Sequence, residues 1–165
     1  MKFQCNRVLS AAIVGASILF AVTSCKKSST GSAAMSATIN GGAWASSFPV
    51  AGVHTSQGDT YELGAAQYKN SDSTILAVGF NGPVVLNQAF SSDTTTLDIA
   101  YQDIKAQVQY DGVSGHGFSI LTVTSLDSVN HKIAGTFSGV LYNDFGGGDS
   151  VVVTNGRFSA PYLAQ

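Results

Sequence analysis

From residue 35 onward, apolar and polar side chains alternate over short stretches, and each stretch ends at Gly, Asn, Asp, Ser or Pro. A period of two marks a pleated strand with one face buried. The pattern predicts strands over 35–40, 48–54, 60–67, 73–80, 95–101, 105–110, 118–125, 131–141 and 149–158. Leu76, Val78 and Phe80 share one face, and Tyr61, Leu63 and Ala65 share another. Ile133 with Phe137, and Phe118 with Ile120, are further inward positions. Asn40-Gly41-Gly42, Asn81-Gly82-Pro83, Asp111-Gly112, Asp127 to Asn130 and Asn143 to Asp149 supply turn residues between strands. Connections this short make neighbouring strands antiparallel, because parallel pairing needs a long crossover. Val84 to Thr94 keeps no clear period and reads as an irregular connection with a short strand or a single helical turn.

Composition agrees. Glu62 is the only Glu, and Thr, Val, Ser, Gly and aromatic residues dominate after residue 35, a mixture that suits strands. About nine strands must hide their edges, either as two facing sheets or by closing into a barrel. The expected fold class is all-β, an antiparallel β-sandwich of mostly hairpin-connected strands, with a lipocalin-like barrel as the alternative. The barrel draws on Gly42-Ala43-Trp44, which has the G-x-W form of the first lipocalin strand. Trp44, the only Trp, follows a glycine turn and is expected to plug one end of the core, where an indole covers much apolar area.

The N-terminus is built differently. Lys2 and Arg7 precede an uncharged apolar run from Val8 to Val22, which leads into Thr23, Ser24 and Cys25. This is the layout of a secretory signal, and the run is short for a span, which needs about 20 residues. Val22-Thr23-Ser24-Cys25 resembles the lipobox of bacterial lipoproteins. That resemblance implies cleavage before Cys25 and acylation of its thiol and new amine by chains such as palmitate, with membrane lipid as the partner. Each buried methylene of such a chain is worth about 0.8 kcal/mol. The expected division is 1–24 signal peptide, 25–34 tether and 35–165 all-β domain. Cys5 lies in the removed segment, so the mature 141 residues hold no second Cys for an internal disulfide. A single domain of that length buries enough surface to stand on its core alone. The polar run Lys26 to Ala34 reads as a flexible tether. Lys26, not Asp, follows Cys25, which in the lipoprotein family favours the cell envelope's outer membrane, on its periplasmic or its surface face.

A second resemblance covers nearly the whole mature chain. Thr38-Ile39-Asn40-Gly41 with Trp44, Ile133-Ala134-Gly135-Thr136-Phe137-Ser138, and Val153-Thr154-Asn155-Gly156-Arg157-Phe158 are similar to a family of small bacterial lipoproteins that carry a domain of unknown function. These are strand and turn residues, so the resemblance implies fold and anchoring, and no activity.

Charge and chemistry narrow the rest. All ten acids but only four bases (Lys69, Lys105, Lys132 and Arg157) lie from Met35 onward, a balance of −6. Nucleic acid, which needs basic patches, is not an expected partner. His54, His116 and His131 are dispersed and lack metal-ligand spacing; no metal or cofactor is expected. Ser114 stands near His116 without the G-x-S-x-G elbow. Asp98 with Asp103, and Asp144 with Asp149, are formal carboxyl pairs for glycoside hydrolysis. Asn143, Asp144 and Asp149 are formal Ca²⁺ donors whose spacing differs from that of an EF-hand loop. In both cases acids in hairpins and loops are the preferred explanation. Tyr101, Tyr110, Tyr142 and Phe145 fall near strand ends and are the candidate ligand-facing aromatics. The expectation is a non-enzymatic, lipid-anchored envelope protein that binds or scaffolds another envelope component, a protein or a glycan. A β domain that binds a small ligand or a glycan is the alternative.

Overall fold

The computed structural model describes residues 34–113, 115–145 and 148–165. The expected signal peptide, with Val22, Thr23 and Ser24 of the lipobox-like segment, the expected lipid-attachment residue Cys25 and the expected tether as far as residue 33 lie outside the described residues, as does Ser114. Eleven strands follow in chain order: β1 (Ala34–Ile39), β2 (Gly42–Ala45), β3 (Ala51–Thr55), β4 (Thr60–Lys69), β5 (Asp72–Asn81), β6 (Ala89–Ser91), β7 (Leu97–Asp103), β8 (Val108–Asp111), β9 (Phe118–Asp127), β10 (Lys132–Asn143) and β11 (Ser150–Ala164). The nine strands expected from periodicity are all present. β2 and β6 are additional, because three or four residues are too few to establish a period. β6 is the short strand in the irregular connection after Val84.

The strands form one mixed, all-β sheet in the order β2-β1-β11-β3-β4-β5-β7-β8-β10-β9-β6, and β10 also pairs with β11. The ladder from β11 through β3, β4, β5, β7 and β8 therefore returns to β10 and then to β11. Inward side chains of β4, β5 and β7 meet those of β9, β10 and β11 in one buried cluster that includes Leu63, Leu76, Val78, Ile99, Leu121, Ile133, Leu141 and Val153. Tyr61, Leu63 and Ala65 stand opposite Phe80, Val78 and Leu76 across the β4–β5 hairpin. Trp44 is buried, and its Nε1 donates to Thr74 Oγ1 at 2.8 Å.

Turn chemistry explains the first hairpin. Asn40 (φ 48°) and Gly41 (φ 81°) are the two residues between paired Ile39 and Gly42, the positive-φ pair that matches strand twist. Asn40 also accepts from the Val152 amide at 2.8 Å through Oδ1, which ties the turn to β11.

β11 departs from the expected strand in three ways. It continues to Ala164, and its last residues pair with β3 in parallel, Tyr162 opposite Gly52; this is the one parallel pairing among the described strands. Pro161 is tolerated because β11 changes partner there, from β1, which ends opposite Ser159, to β3, which begins opposite Tyr162. The Tyr162 amide donates to His131 on the β10 side, so the proline nitrogen faces the gap, where no donor is needed. The inward positions also change parity, from Val151 and Val153 to Gly156, Phe158, Ala160 and Tyr162. A bulge makes the change: Thr154 and Asn155 stand against Ser138 alone, with Asn155 at φ 53°.

The closing motifs of the sequence have a packing explanation. Gly135 pairs with Phe158, and Phe137 pairs with Gly156. Each phenyl ring lies over the glycine of the other strand. A Cβ on Gly156 would collide with the Phe137 carbonyl and meet its ring at 2.5 Å; one on Gly135 would meet the Thr122 carbonyl at 2.5 Å and the Phe158 ring at 2.6 Å. Gly135→Ala and Gly156→Ala are each expected to cost about 1–3 kcal/mol, the usual penalty for overpacking, read as a lower urea midpoint.

One inward assignment is corrected. Phe118 and Ile120 are exposed, and Ser119, Leu121 and Val123 are buried instead. Residues 118–123 are apolar in both phases, and pairing decides between them: Leu121 stands opposite inward Phe137, and Phe118 opposite outward Val140.

Candidate functional site

The strand circuit closes between β8 and β10 through only two residue pairs, Tyr142 with Asp111 and Asn143 with Tyr110. Paired residues share a face, so Asp111 stands with Ala100 of β7 and with Asp98, two residues along the same strand. Asp144 follows the end of β10, and its amide donates to the Gln109 carbonyl at 3.1 Å. Three carboxyls from distant sequence positions thus meet at one seam.

Their hydrogen bonding is sparse. Gln109 Nε2 donates to Asp111 Oδ1 at 3.3 Å, to Asp111 Oδ2 at 3.4 Å and to Asp144 Oδ2 at 3.1 Å. Asp111 is only 4% exposed, and Asp98 Oδ1 is buried without a partner among the described residues. His116 Nδ1 lies 3.8 Å from Asp144 Oδ1. Burial pushes the Asp98 carboxyl up to about 6, with the charge of Asp144 adding to it. Burial also pushes Asp111 up to about 8, aided by its hydrogen bond with Asp144 and the charge of Asp98 and opposed by Gln109. A carboxyl taken from water without a cation keeps its proton.

The carboxyl pairs formal in the sequence are replaced by this one. Asp98 and Asp103 lie on opposite faces of β7, because their positions differ by an odd number, and Asp103 caps the Ala106 amide instead. Asp149 meets this region through its backbone, accepting from the Asn143 amide. Asn143 Oδ1 accepts from the Phe145 amide at 2.9 Å, a turn contact. Among the described residues no group of three His, Cys, Asp or Glu has metal-binding geometry. Asp111 and Gln109 were not candidates in the sequence; only the β7–β8–β10 register brings them beside Asp98 and Asp144.

The four candidate aromatics do not form one platform. Tyr101 and Tyr110 face each other across β7 and β8 at 6.2 Å and pack against the core. Tyr142 stands on the other face of the sheet, exposed, with its ring 5.9 Å from that of His116. Phe145 is 79% exposed just past the end of β10.

The other histidines meet elsewhere. His54 stacks on Tyr61 at 4.2 Å and bonds Asp59 Oδ1 through Nε2 at 2.9 Å. Tyr162 lies between His54, at 5.8 Å, and His131, at 5.4 Å, edge-on to both. Burial, then the nearby Asp59 and Tyr162, push the Tyr61 hydroxyl up to about 12. Among the described residues no histidine is hydrogen-bonded to a serine, threonine or cysteine side chain, and these rings pack one end of the core. A shallow trough crosses the outer face of β1, β9, β10 and β11 between Ser36, Thr124, Thr136 and Arg157; it does not open onto the carboxyls. Comparison with protein-family models, with curated proteins and with solved structures gave no match.

Proposed function

We propose that this chain is a cell-envelope lipoprotein anchored through acylated Cys25, whose β domain binds or scaffolds another envelope protein and catalyses no reaction. The anchor rests on the Val22-Thr23-Ser24-Cys25 signature and on the uncharged run before it. The binding role rests on one observation. The outward face of β9, β10 and β11 carries Phe118, Val140 and Val152 as a cross-strand row, with Ile120 and Tyr142 beside it. Phe118, Ile120, Tyr142 and Val152 are exposed there. An exposed apolar row over a buried core suits a protein partner, whereas a small ligand needs a concave pocket with convergent polar groups. A glycan-binding alternative keeps Tyr142 and Phe145 as its stacking residues; Tyr101 and Tyr110 are half-buried and packed against the core, which takes half of the aromatic set away from it.

The test uses the tagged full chain in its native host. Cys25→Ser should abolish acyl labelling and move the protein out of the membrane fraction; continued labelling and fractionation would remove the anchor. Separately, a protein cross-linked through a photoreactive residue at Ile120 should be lost in Phe118→Asp or Val152→Asp and kept in Ser128→Asp, which lies in the β9–β10 turn. Equal capture by all three variants would remove the docking face.

A further inference from the structure

We propose that Asp111 and Asp144 share a single proton, and that this proton is the latch holding the β8–β10 seam closed. The inference does not depend on the docking face or on the anchor. It begins with the seam itself. Elsewhere in the strand circuit, neighbours are joined by three or more registered pairs; here there are two. Extra hold comes from the Asp144 amide on the Gln109 carbonyl and from the Gln109 side chain, which spans both carboxyls.

The charge balance then requires a proton. Asp98 faces Asp111 from β7, Gln109 from its own strand, Tyr142 from β10, Asp144 from beyond β10 and His116 from the preceding turn. Tyr110 lies on the opposite face of β8 and pairs with Tyr101. None of the salt bridges among the described residues brings a lysine or arginine to this group. Asp144 is open to water, but Asp111 is 4% exposed and shares its Gln109 amide donor with Asp144, and an enclosed carboxylate facing a second carboxylate does not ionise freely. With one proton, the Asp111 hydroxyl donates to Asp144, and Asp144 still accepts from Gln109. Asp111, nearly enclosed, is the member that keeps the proton. When the proton leaves for solvent, two anions face each other beside Asp98, and separating β8 from the end of β10 relieves the repulsion. The upward displacement of the Asp111 carboxyl by burial and by Asp144 agrees with this arrangement.

The experiment is NMR on the isotopically labelled full chain in detergent. The Asp111 and Asp144 carboxyl carbons should titrate together, with one step far above the ordinary aspartate value of about 3.9. Between about pH 6 and about pH 9, hydrogen-exchange protection of the Asp144 amide should fall at least about tenfold relative to the Val78 amide, after correction for intrinsic exchange. Asp111→Asn, whose amide replaces the hydroxyl as donor to Asp144, should abolish that fall. The latch is overturned if the Asp111 carbon titrates at the ordinary value, if Asp144 protection keeps pace with Val78, or if Asp111→Asn shows the same fall as the wild type. Should Asp111→Asn not fold, the wild-type carboxyl titration decides alone.

Discussion

Trp44→Ala is expected to lower the unfolding free energy by about 3–5 kcal/mol, the range for removing a large aromatic side chain from a core. The indole is 4% exposed, and it sits on β2, an edge strand of four residues that pairs with β1 alone. Backbone pairing of that length gives little independent stability. Beside the Gln67 side chain's bond to the Ala45 carbonyl, the indole anchors β2 in the core, its Nε1 reaching Thr74 Oγ1 on β5 at 2.8 Å. Trp44→Phe keeps much of the buried area and forfeits the hydrogen bond, so it should cost less, of which about 1 kcal/mol is the bond itself. Urea unfolding followed by far-UV circular dichroism suits the series, because the variants remove the only Trp. A Trp44→Ala midpoint close to that of the wild type would mean that the indole is not a core plug.

Stability should fall as pH rises from about 4 towards about 8, the reverse of the usual behaviour of paired carboxylates. The unfolded chain releases its aspartate protons near 3.8, whereas the folded chain holds those of Asp98 to about 6 and of Asp111 to about 8. Between those values the folded state binds more protons, so its advantage is complete below the unfolded value and is lost as pH climbs through the folded one. Each such proton corresponds to about 1.4 kcal/mol per pH unit. The decline should be steeper while both groups differ from the unfolded chain and shallower once Asp98 has ionised in both states. Asp127 acts in the opposite sense, since hydrogen bonds from the Asn130 side chain and amide hold its carboxyl below the ordinary value, but it is exposed and its contribution is small. Asp111→Asn should flatten the upper part of the decline. Urea midpoints that rise or stay level over this range would show that the seam carboxyls ionise freely.

The strands were legible because one face of each is buried and the other is wet, which writes a period of two into the residues. Leu76, Val78 and Phe80, with Tyr61, Leu63 and Ala65, follow that rule and are buried as expected. Phe118 and Ile120 did not follow it, because apolar residues occupy both phases of β9 and only pairing with β10 selects Leu121 and Val123. β11 was legible to residue 158 and no further: the proline at 161 looks like the end of a strand unless a change of partner is known, and the parity change at Asn155 leaves no mark in the period. At the seam, Asp98, Asp144, His116 and Tyr142 were visible as separate candidates, and their convergence was not. They are brought together with Asp111 by registers across three strands that no spacing along the chain records.

The chain by itself determined that this protein is built from strands and where most of its turns fall, and its N-terminus resembles the lipidation signal on which the proposed anchoring rests. These follow from interactions between residues close in sequence: alternation, positive-φ turn residues and an apolar run ending in small residues and Cys. The tertiary structure alone decided which phase of β9 faces inward, how β11 passes from β1 to β3, and that Asp98, an enclosed Asp111 and a solvent-exposed Asp144 meet at one seam. Those outcomes depend on hydrogen-bond register between distant segments, and a shift of one residue in any pairing would turn every side chain of that strand to the other face.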